Sequence, residues 1–308
     1  MSTPEALPSR EGRRKPGRLG VGVIGAGRVG AVLGAALRAA EHAVVGVSAV
    51  SEASRERAEN LLPGVPILPI PEIVERAELV LVAVPDDALP ELVSGLAAVG
   101  AWQPGQLVAH TSGRFGTGVL EPARGLGAIP LALHPAMTFT GLSLDLTRLP
   151  DCSFGVTAPA AVLPVAQALV VEMGAEPVVV EEEDRVLYHA ALAHASNHLV
   201  TLAAQSTQLL AAIGIERPDR LLGPLMRASL ENALAAGEGA LTGPVARGDS
   251  GTVKAHSAAL ASAPEDVRRA YLELAAVTAV RGVKRGLLTP DQGLAITRAL
   301  QQSGEDDQ

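Results

Sequence analysis

The sequence predicts an α/β protein in two parts: a mostly parallel sheet with flanking helices, then helices alone. Three observations predict it. From residue 19 to about residue 181, short β-branched runs alternate with helix-like stretches, the texture of successive β–α units. Most of those runs are continuously apolar, as expected for strands buried on both faces. From residue 182 the strand texture stops, and residues 183–212 contain neither glycine nor proline.

The first five strands are expected at 19–24, 43–50, 78–84, 105–110 and 127–133, with a short run at 65–68 as the third strand of the order. Later runs at 153–157 and 177–180 extend the sheet. Helices are expected at 29–40, 54–60, 89–98 and 161–173, and then at 183–212, 219–236, 252–262, 264–285 and 290–302. The last carries its own start signal: Thr289 as N-cap, Pro290 in the first turn and Gln292 three residues after the cap. The expected organisation is a disordered basic tail (1–18), the sheet domain (19–160), a connector with an extra helix and strand (161–182), an all-α C-terminal domain (183–302) and a frayed end (303–308). At 1.5 Å per residue, the helix over 183–212 runs ~45 Å. It is apolar on nearly every side, so it should be buried on every side. One chain of 308 residues can hardly bury it, which predicts a homodimer through the C-terminal helices.

Composition excludes several classes. With 48% hydrophobic and 19% charged residues a large core forms, and with 2% aromatics that core is built of Ala, Val and Leu. The net charge of −8 argues against nucleic acid or an anionic membrane as partner and leaves a small-molecule substrate. The single cysteine, Cys152, rules out an intrachain disulfide framework and fits a reducing, cytoplasmic setting. No apolar run reaches the ~18 residues a membrane span requires.

Gly25, Gly27 and Gly30 spell G-x-G-x-x-G directly after the first strand and at the start of a helix. The three positions call for glycine on different physical grounds: a tight turn, close approach of backbone to a pyrophosphate, and close packing of helix on strand. Free N–H groups at the helix start then face the phosphates. This predicts a Rossmann dinucleotide-binding domain, with cofactor contacts at Gly25, Ala26, Gly27, Arg28, Val29 and Gly30. NAD sites place an acid at the end of the second strand. Here Ser48, Ser51 and Arg55 stand nearby and the first acid is Glu52, which favours NADP over NAD. The turn at Val84 and Pro85 is a further cofactor contact, with Asp86 or Asp87 capping the next helix. Later strand ends place Thr111, Ser112 and His134 at the same crevice as substrate contacts. His134 is there either as an orienting or proton-handling group or as a hydrogen-bonded structural histidine.

In the helical half, His189, Ser196 and Asn197 share or border one helix face. Imidazole can move a proton near neutral pH and an amide can donate to a carbonyl, so this face is the candidate catalytic surface; a polar network that fixes helix packing is the alternative. His194 and His198 have helical metal-ligand spacing but no evident third ligand, so no metal is expected. The loop over 241–249 holds Arg247, suited to a substrate carboxylate, and Asp249, which either binds substrate or caps the helix that carries Thr252 and His256.

These motifs together resemble a superfamily of reductases that includes pyrroline-5-carboxylate reductase, the 6-phosphogluconate and β-hydroxyacid dehydrogenases and ketopantoate reductase. More closely, Tyr188-His189-Ala190-Ala191 with Ser196-Asn197, and Leu241-Thr242-Gly243-Pro244 with Arg247-Gly248-Asp249 and His256, resemble an uncharacterised bacterial family. That family pairs a Rossmann-like domain with a helical domain of unknown function. The resemblance implies hydride transfer between NADP and a small carbonyl or imine, with 2-keto acid reduction of the ketopantoate type as the specific expectation. In the hydroxyacid enzymes a catalytic lysine precedes an asparagine by one helical turn. Asn197 fits the asparagine, but Ala193 stands where the lysine would be. His189 or His256 would then be the proton donor, and a non-catalytic NADP(H) sensor or scaffold is the alternative reading.

Overall fold

The computed structural model of the chain describes residues 18–301. The tails expected at 1–18 and 303–308 lie outside the described residues, apart from Arg18, whose guanidinium pairs with Glu172 at 2.9 Å. The chain divides into two compact units, Met1–His194 and Ala195–Gln308.

The first unit runs β1 (Gly20–Ile24), α1 (Arg28–Ala39), β2 (Ala43–Ser48), α2 (Glu52–Leu61), α3 (Ile70–Arg76), β3 (Leu79–Val82), α4 (Leu89–Ala98), β4 (Leu107–His110), α5 (Glu121–Arg124), β5 (Ile129–Pro135), α6 (Leu144–Arg148), β6 (Ser153–Thr157), α7 (Leu163–Glu172) and β7 (Glu176–Val179). The seven strands lie in the order β2-β1-β3-β4-β5-β6-β7. All pairs are parallel except β5 with β6. The order reverses between β1 and β3, so the loops after these two strands flank the crevice where doubly wound sheets bind ligands. Burial on both faces is visible in β3: Leu79 and Leu81 join the cluster under α1 and α7, while Val80 and Val82 join the one under α3 and α4.

The third strand expected at 65–68 is reduced to one parallel bridge, Val47 with Ile67. Pro63, Pro66 and Pro69 punctuate the segment, and a residue without N–H cannot continue a ladder. Three short helices, α3, α5 and α6, were not expected, because elements of four to seven residues are too short to show a period.

The helix expected over 183–212 is α8 (Arg185–Ala212), and the boundary between the two units falls inside it. The second unit continues with α9 (Pro218–Ala236), α10 (Ser250–Ala259), α11 (Glu265–Lys284) and α12 (Pro290–Gln301). Val253, Ala279 and Ile296 anchor a core shared by α10, α11 and α12. The start of α12 is a reciprocal capping box: Gln292 N–H donates to Thr289 Oγ1 at 3.3 Å and Thr289 N–H donates to Gln292 Oε1 at 2.9 Å. The burial expected of α8 is not met within one chain. Of its residues only Arg185 is buried, and Val186, Leu187 and Val200 are each about 70% exposed. On α9, Leu221 and Leu225 on one side and Leu230 and Leu234 on the opposite side are exposed as well. Among the described residues no helix is long and apolar enough to cross a membrane.

Candidate active site

The β1–α1 turn distinguishes its three glycines. Gly25 has φ +96°, a left-handed conformation that disfavours a side chain, and a Cβ there would lie 2.6 Å from the Ala83 carbonyl oxygen. A Cβ on Gly30 would fall on the Gly25 carbonyl oxygen and crowd Ala83 at 2.9 Å. Packing therefore accounts for both. Gly27 is different: it is the N-cap of α1 in extended backbone (φ −71°, ψ −168°), and a Cβ there would meet nothing within 4 Å. Neither backbone nor protein contact requires glycine at 27. Open space above the free N–H groups at the start of α1 is the shape that close approach of a pyrophosphate needs.

The surrounding residues hold this turn. Ser48 is buried, its Oγ accepts the Gly25 N–H at 2.9 Å and its carbonyl accepts the Ala26 N–H at 2.8 Å. The hydroxyl expected to meet a cofactor phosphate thus shapes the loop. Ser51 caps α2, accepting the Ser54 N–H, and Arg55 follows on an exposed position of that helix. A further arginine, Arg57, reaches back to the Ala26 carbonyl at 3.4 Å and, with Arg28, lies against Gly141. The Arg57 guanidinium therefore stands beside the helix start, unforeseen from the sequence, and the stem of Arg28, the first residue of α1, lies against the same Gly141. Val84 and Pro85 follow β3, with a Val84 methyl 3.5 Å from the Cβ position of Gly25.

A cluster of imidazoles and a phenol occupies the ends of β4 and β5. His134 Nδ1 and Tyr188 Oη lie 2.9 Å apart. The ring of His134 meets that of His189 edge-on at 5.7 Å. Two glycines open the room for this: a Cβ on Gly113 would sit 2.5 Å from His189 and 2.9 Å from His134, and one on Gly155 would sit 2.5 Å from Tyr188 Oη. Beneath them Arg185 is fully buried, donating to Thr157 Oγ1 at 2.7 Å and to the carbonyls of Ala132 and Gly155 at 3.0 Å. Its Nη1 has no hydrogen-bond partner among the described residues. Glu182 fixes the approach to α8 by accepting N–H groups of Thr117 and Gly118. Burial works against its charge, but these donors prevail and hold the carboxyl below its usual range.

Burial, reinforced by the neighbouring His189 and Arg185, lowers the His134 pKa to about 4. Burial raises the Tyr188 phenol, while Arg185 pulls it back. At neutral pH the pair is thus an uncharged imidazole and a protonated phenol. His110 is also held at about 4, by burial first. Its Nδ1 accepts the Ser112 N–H at 3.2 Å, so Nε2–H donates to the Gly116 carbonyl at 2.8 Å and a second ring proton would break the first bond. Unfolded histidine takes up its proton near 6.5. Between that value and about 4 the unfolded chain binds more protons, so the stabilising contribution is complete above ~6.5 and is lost as pH falls toward 4. For His110 the full loss is on the order of 3 kcal/mol. Thermal melts from pH 7 to 4 should show a steep fall in Tm that His110→Asn flattens; an equal slope in the variant would refute this account.

Of the expected substrate contacts, Ser112 is buried with its Oγ on the Phe115 N–H, and Thr111 donates its N–H to the Val82 carbonyl. Ser196 and Asn197 are exposed residues of the second unit, whereas His189 is drawn to His134 in the first. Arg247 donates to the Thr242 carbonyl, closing its own loop. Asp249 is the α10 cap, accepting from Thr252 N–H and Oγ1 at 3.0 and 2.7 Å, so its carboxylate serves the helix. His256, one turn further along α10, bonds to Tyr271. Tyr188 was visible in the sequence only as part of a motif. The signal that could have found its contact is Gly155, a glycine inside a strand, which marks close approach of another group.

Residues 5–135 match the model of a Rossmann-like domain and residues 152–278 match that of a domain of unknown function, DUF2520. This is the pairing that the motifs suggested. No curated protein matches the chain. Among solved structures it is similar to the candidate NADP oxidoreductase BF3122 from Bacteroides fragilis (22% identity over 85% of this chain and 98% of that one, TM-score 0.72). It is also similar to protein TM1727 from Thermotoga maritima (22%, 86% and 99%, TM-score 0.63). A third is the reductive aminase from Aspergillus terreus in complex with NADPH and ethyl-5-oxohexanoate (14%, 94% and 95%, TM-score 0.57). At these identities the likeness is one of fold.

Proposed function

We propose that this chain, a Rossmann-like domain followed by a DUF2520 domain, is an NADP-dependent oxidoreductase acting on a small carbonyl or imine compound. The observation that carries the reading is Gly27, a glycine that neither backbone nor packing requires, in open space at the start of α1. The similarity to enzymes with NADPH in their structures supports the same cofactor class. A bound nicotinamide supplies the hydride; the chain supplies orientation and a proton.

Tyr188 is the proton-holding group. With His134 Nδ1–H donating to Oη, the phenol O–H is free to donate to a substrate oxygen or nitrogen. The phenolate left behind is stabilised by Arg185, whose guanidinium carbon lies 5.8 Å from the ring centroid. His134, uncharged, holds the phenol in place, and the His189 ring meets the imidazole edge-on. This arrangement takes the role that the lysine plays in the hydroxyacid enzymes.

Titration with NADPH and NADH, followed by nicotinamide absorbance across a panel of 2-keto acids, ketones and cyclic imines, tests the proposal. Tight NADPH binding with turnover of at least one panel member is expected. Binding without any turnover would favour the sensor reading, and no binding would sink both. NADP preference is read from Arg28 and Arg57 beside the helix start. Arg57→Ala should weaken NADPH about 10–100-fold, the loss of a charge-assisted phosphate contact, and NADH far less. Equal losses for both nucleotides would remove Arg57 from phosphate discrimination. The exposed leucines on opposite sides of α9 support a homodimer through the helices of the second unit. Light scattering should return twice the chain mass; a monomer at micromolar concentration would contradict it.

A further inference from the structure

We infer that the second unit holds a small-molecule pocket of its own, for an uncharged ligand with an apolar body and one carbonyl or hydroxyl oxygen read by His256 and Tyr271. The pocket measures about 340 Å³ and is lined by residues of α8, the loop before α10, α10 and α11. That volume is at the low end of the ~300–1,000 Å³ typical of ligand sites, so the ligand is small. The walls are apolar, with Leu209, Leu241, Val267 and Leu274 among them, and none of the lining residues is Lys, Arg, Asp or Glu.

The polar side chains of the lining are Gln205, Ser206, Thr278, His256 and Tyr271, and Gln205 and Thr278 are already committed. Gln205 donates to the backbone and carboxylate of Asp266. Thr278 donates to the Leu274 carbonyl at 2.7 Å. His256 and Tyr271 are bonded to each other, Nδ1 to Oη at 2.8 Å. If the phenol donates to Nδ1, the Nε2–H is left as a donor and the phenol oxygen as an acceptor. If Nδ1–H donates, the phenol O–H is left as the donor and Nε2 as the acceptor. Either way the couple offers one donor and one acceptor, which match a carbonyl or hydroxyl. Burial raises the Tyr271 phenol, so it keeps its proton. A carboxylate would find no Lys or Arg in the lining to pair with and would face apolar walls, which disfavours it against a neutral oxygen.

The loop that forms one wall is built rather than loose. Arg247 N–H donates to the Gly243 carbonyl at 3.1 Å and Asp249 N–H to that of Pro244 at 3.0 Å, which buries Val245 and Ala246 against the pocket. The inference does not depend on the nucleotide chemistry proposed above, because every residue it uses lies in the second unit.

The test is calorimetric titration of the full chain, without nucleotide, with cyclohexanone and with cyclohexanecarboxylate. Cyclohexanone should bind, and the carboxylate at least ~10-fold more weakly. Tyr271→Phe should weaken cyclohexanone about 5–10-fold, the worth of one hydrogen bond. Ser206→Phe, which fills the pocket from α8, should abolish binding and leave NADPH affinity unchanged; if that variant does not fold, Tyr271→Phe decides. Absence of ketone binding, equal affinity for ketone and carboxylate, or full affinity in Tyr271→Phe would overturn the assignment. So would ketone affinity that falls as chain concentration rises, which would mean that a second copy fills the pocket.

Discussion

Replacing Tyr188 with phenylalanine is expected to lower turnover by ~10²–10⁴-fold, the usual range for losing a positioned general acid, with NADPH affinity within twofold of the parent chain. The substitution removes one oxygen and keeps the ring that lies over Gly155 and Arg185. A purely structural phenol would instead show its loss in melting temperature with turnover intact, and that result would end the assignment. The pH profile gives a second readout. His134 is held at about 4 and Tyr188 is raised by burial, so neither group changes charge through the imidazole range. Turnover by this pair should stay level from pH ~6 to ~8, where an unperturbed histidine acid would lose activity above ~6.5. Gly155→Ala provides an independent route to the same test. Its methyl displaces the phenol while leaving the hydroxyl in the chain, and it should lower turnover in proportion to that displacement.

The parts of this chain that were legible in its sequence are those written by local rules. The β1–α1 turn is one: an apolar strand, three glycines and a helix within a dozen residues. The capping box at Thr289 and Gln292 is another, and the strand positions followed from short runs too apolar to be anything but buried. The third strand was misread because an apolar run of four looks like a strand until the prolines around it are counted. The proton-holding couple was half legible. His134 stood at a strand end, but its partner Tyr188 is fifty-four residues away in the chain, and no periodicity connects them. Arg57 escaped notice because one helix residue gives no sign that it turns back to the Ala26 carbonyl. In the second unit the Asp249 cap is local and was foreseen as one of two alternatives, whereas the pairing of His256 with Tyr271 depends on how α10 and α11 are brought together by their common packing on α12. Long-range side-chain chemistry is set by packing, and glycines inside strands, such as Gly155, are its faint local trace.

The sharpest contrast lies within the fingerprint itself. Gly30→Val should damage the fold: its Cβ has nowhere to go between the Gly25 carbonyl and Ala83, and overpacking of this kind costs on the order of 3 kcal/mol. At ~2–4 °C per kcal/mol, Tm should drop by roughly 6–12 °C. Gly27→Asp should do the reverse. Its backbone is already extended, its Cβ meets no protein atom, and aspartate is among the best N-cap residues, so stability should hold within about 0.5 kcal/mol or rise. Yet its carboxylate would stand at the N–H groups of α1, where a pyrophosphate has to lie, and would both occupy the donors and repel the charge. NADPH affinity should fall by at least ~100-fold, roughly 2.7 kcal/mol, in a chain that melts like its parent. Were Gly27→Asp to bind NADPH as well as the parent, the open space above residue 27 would belong to solvent, and packing would account for Gly25 and Gly30 with Gly27 serving no nucleotide.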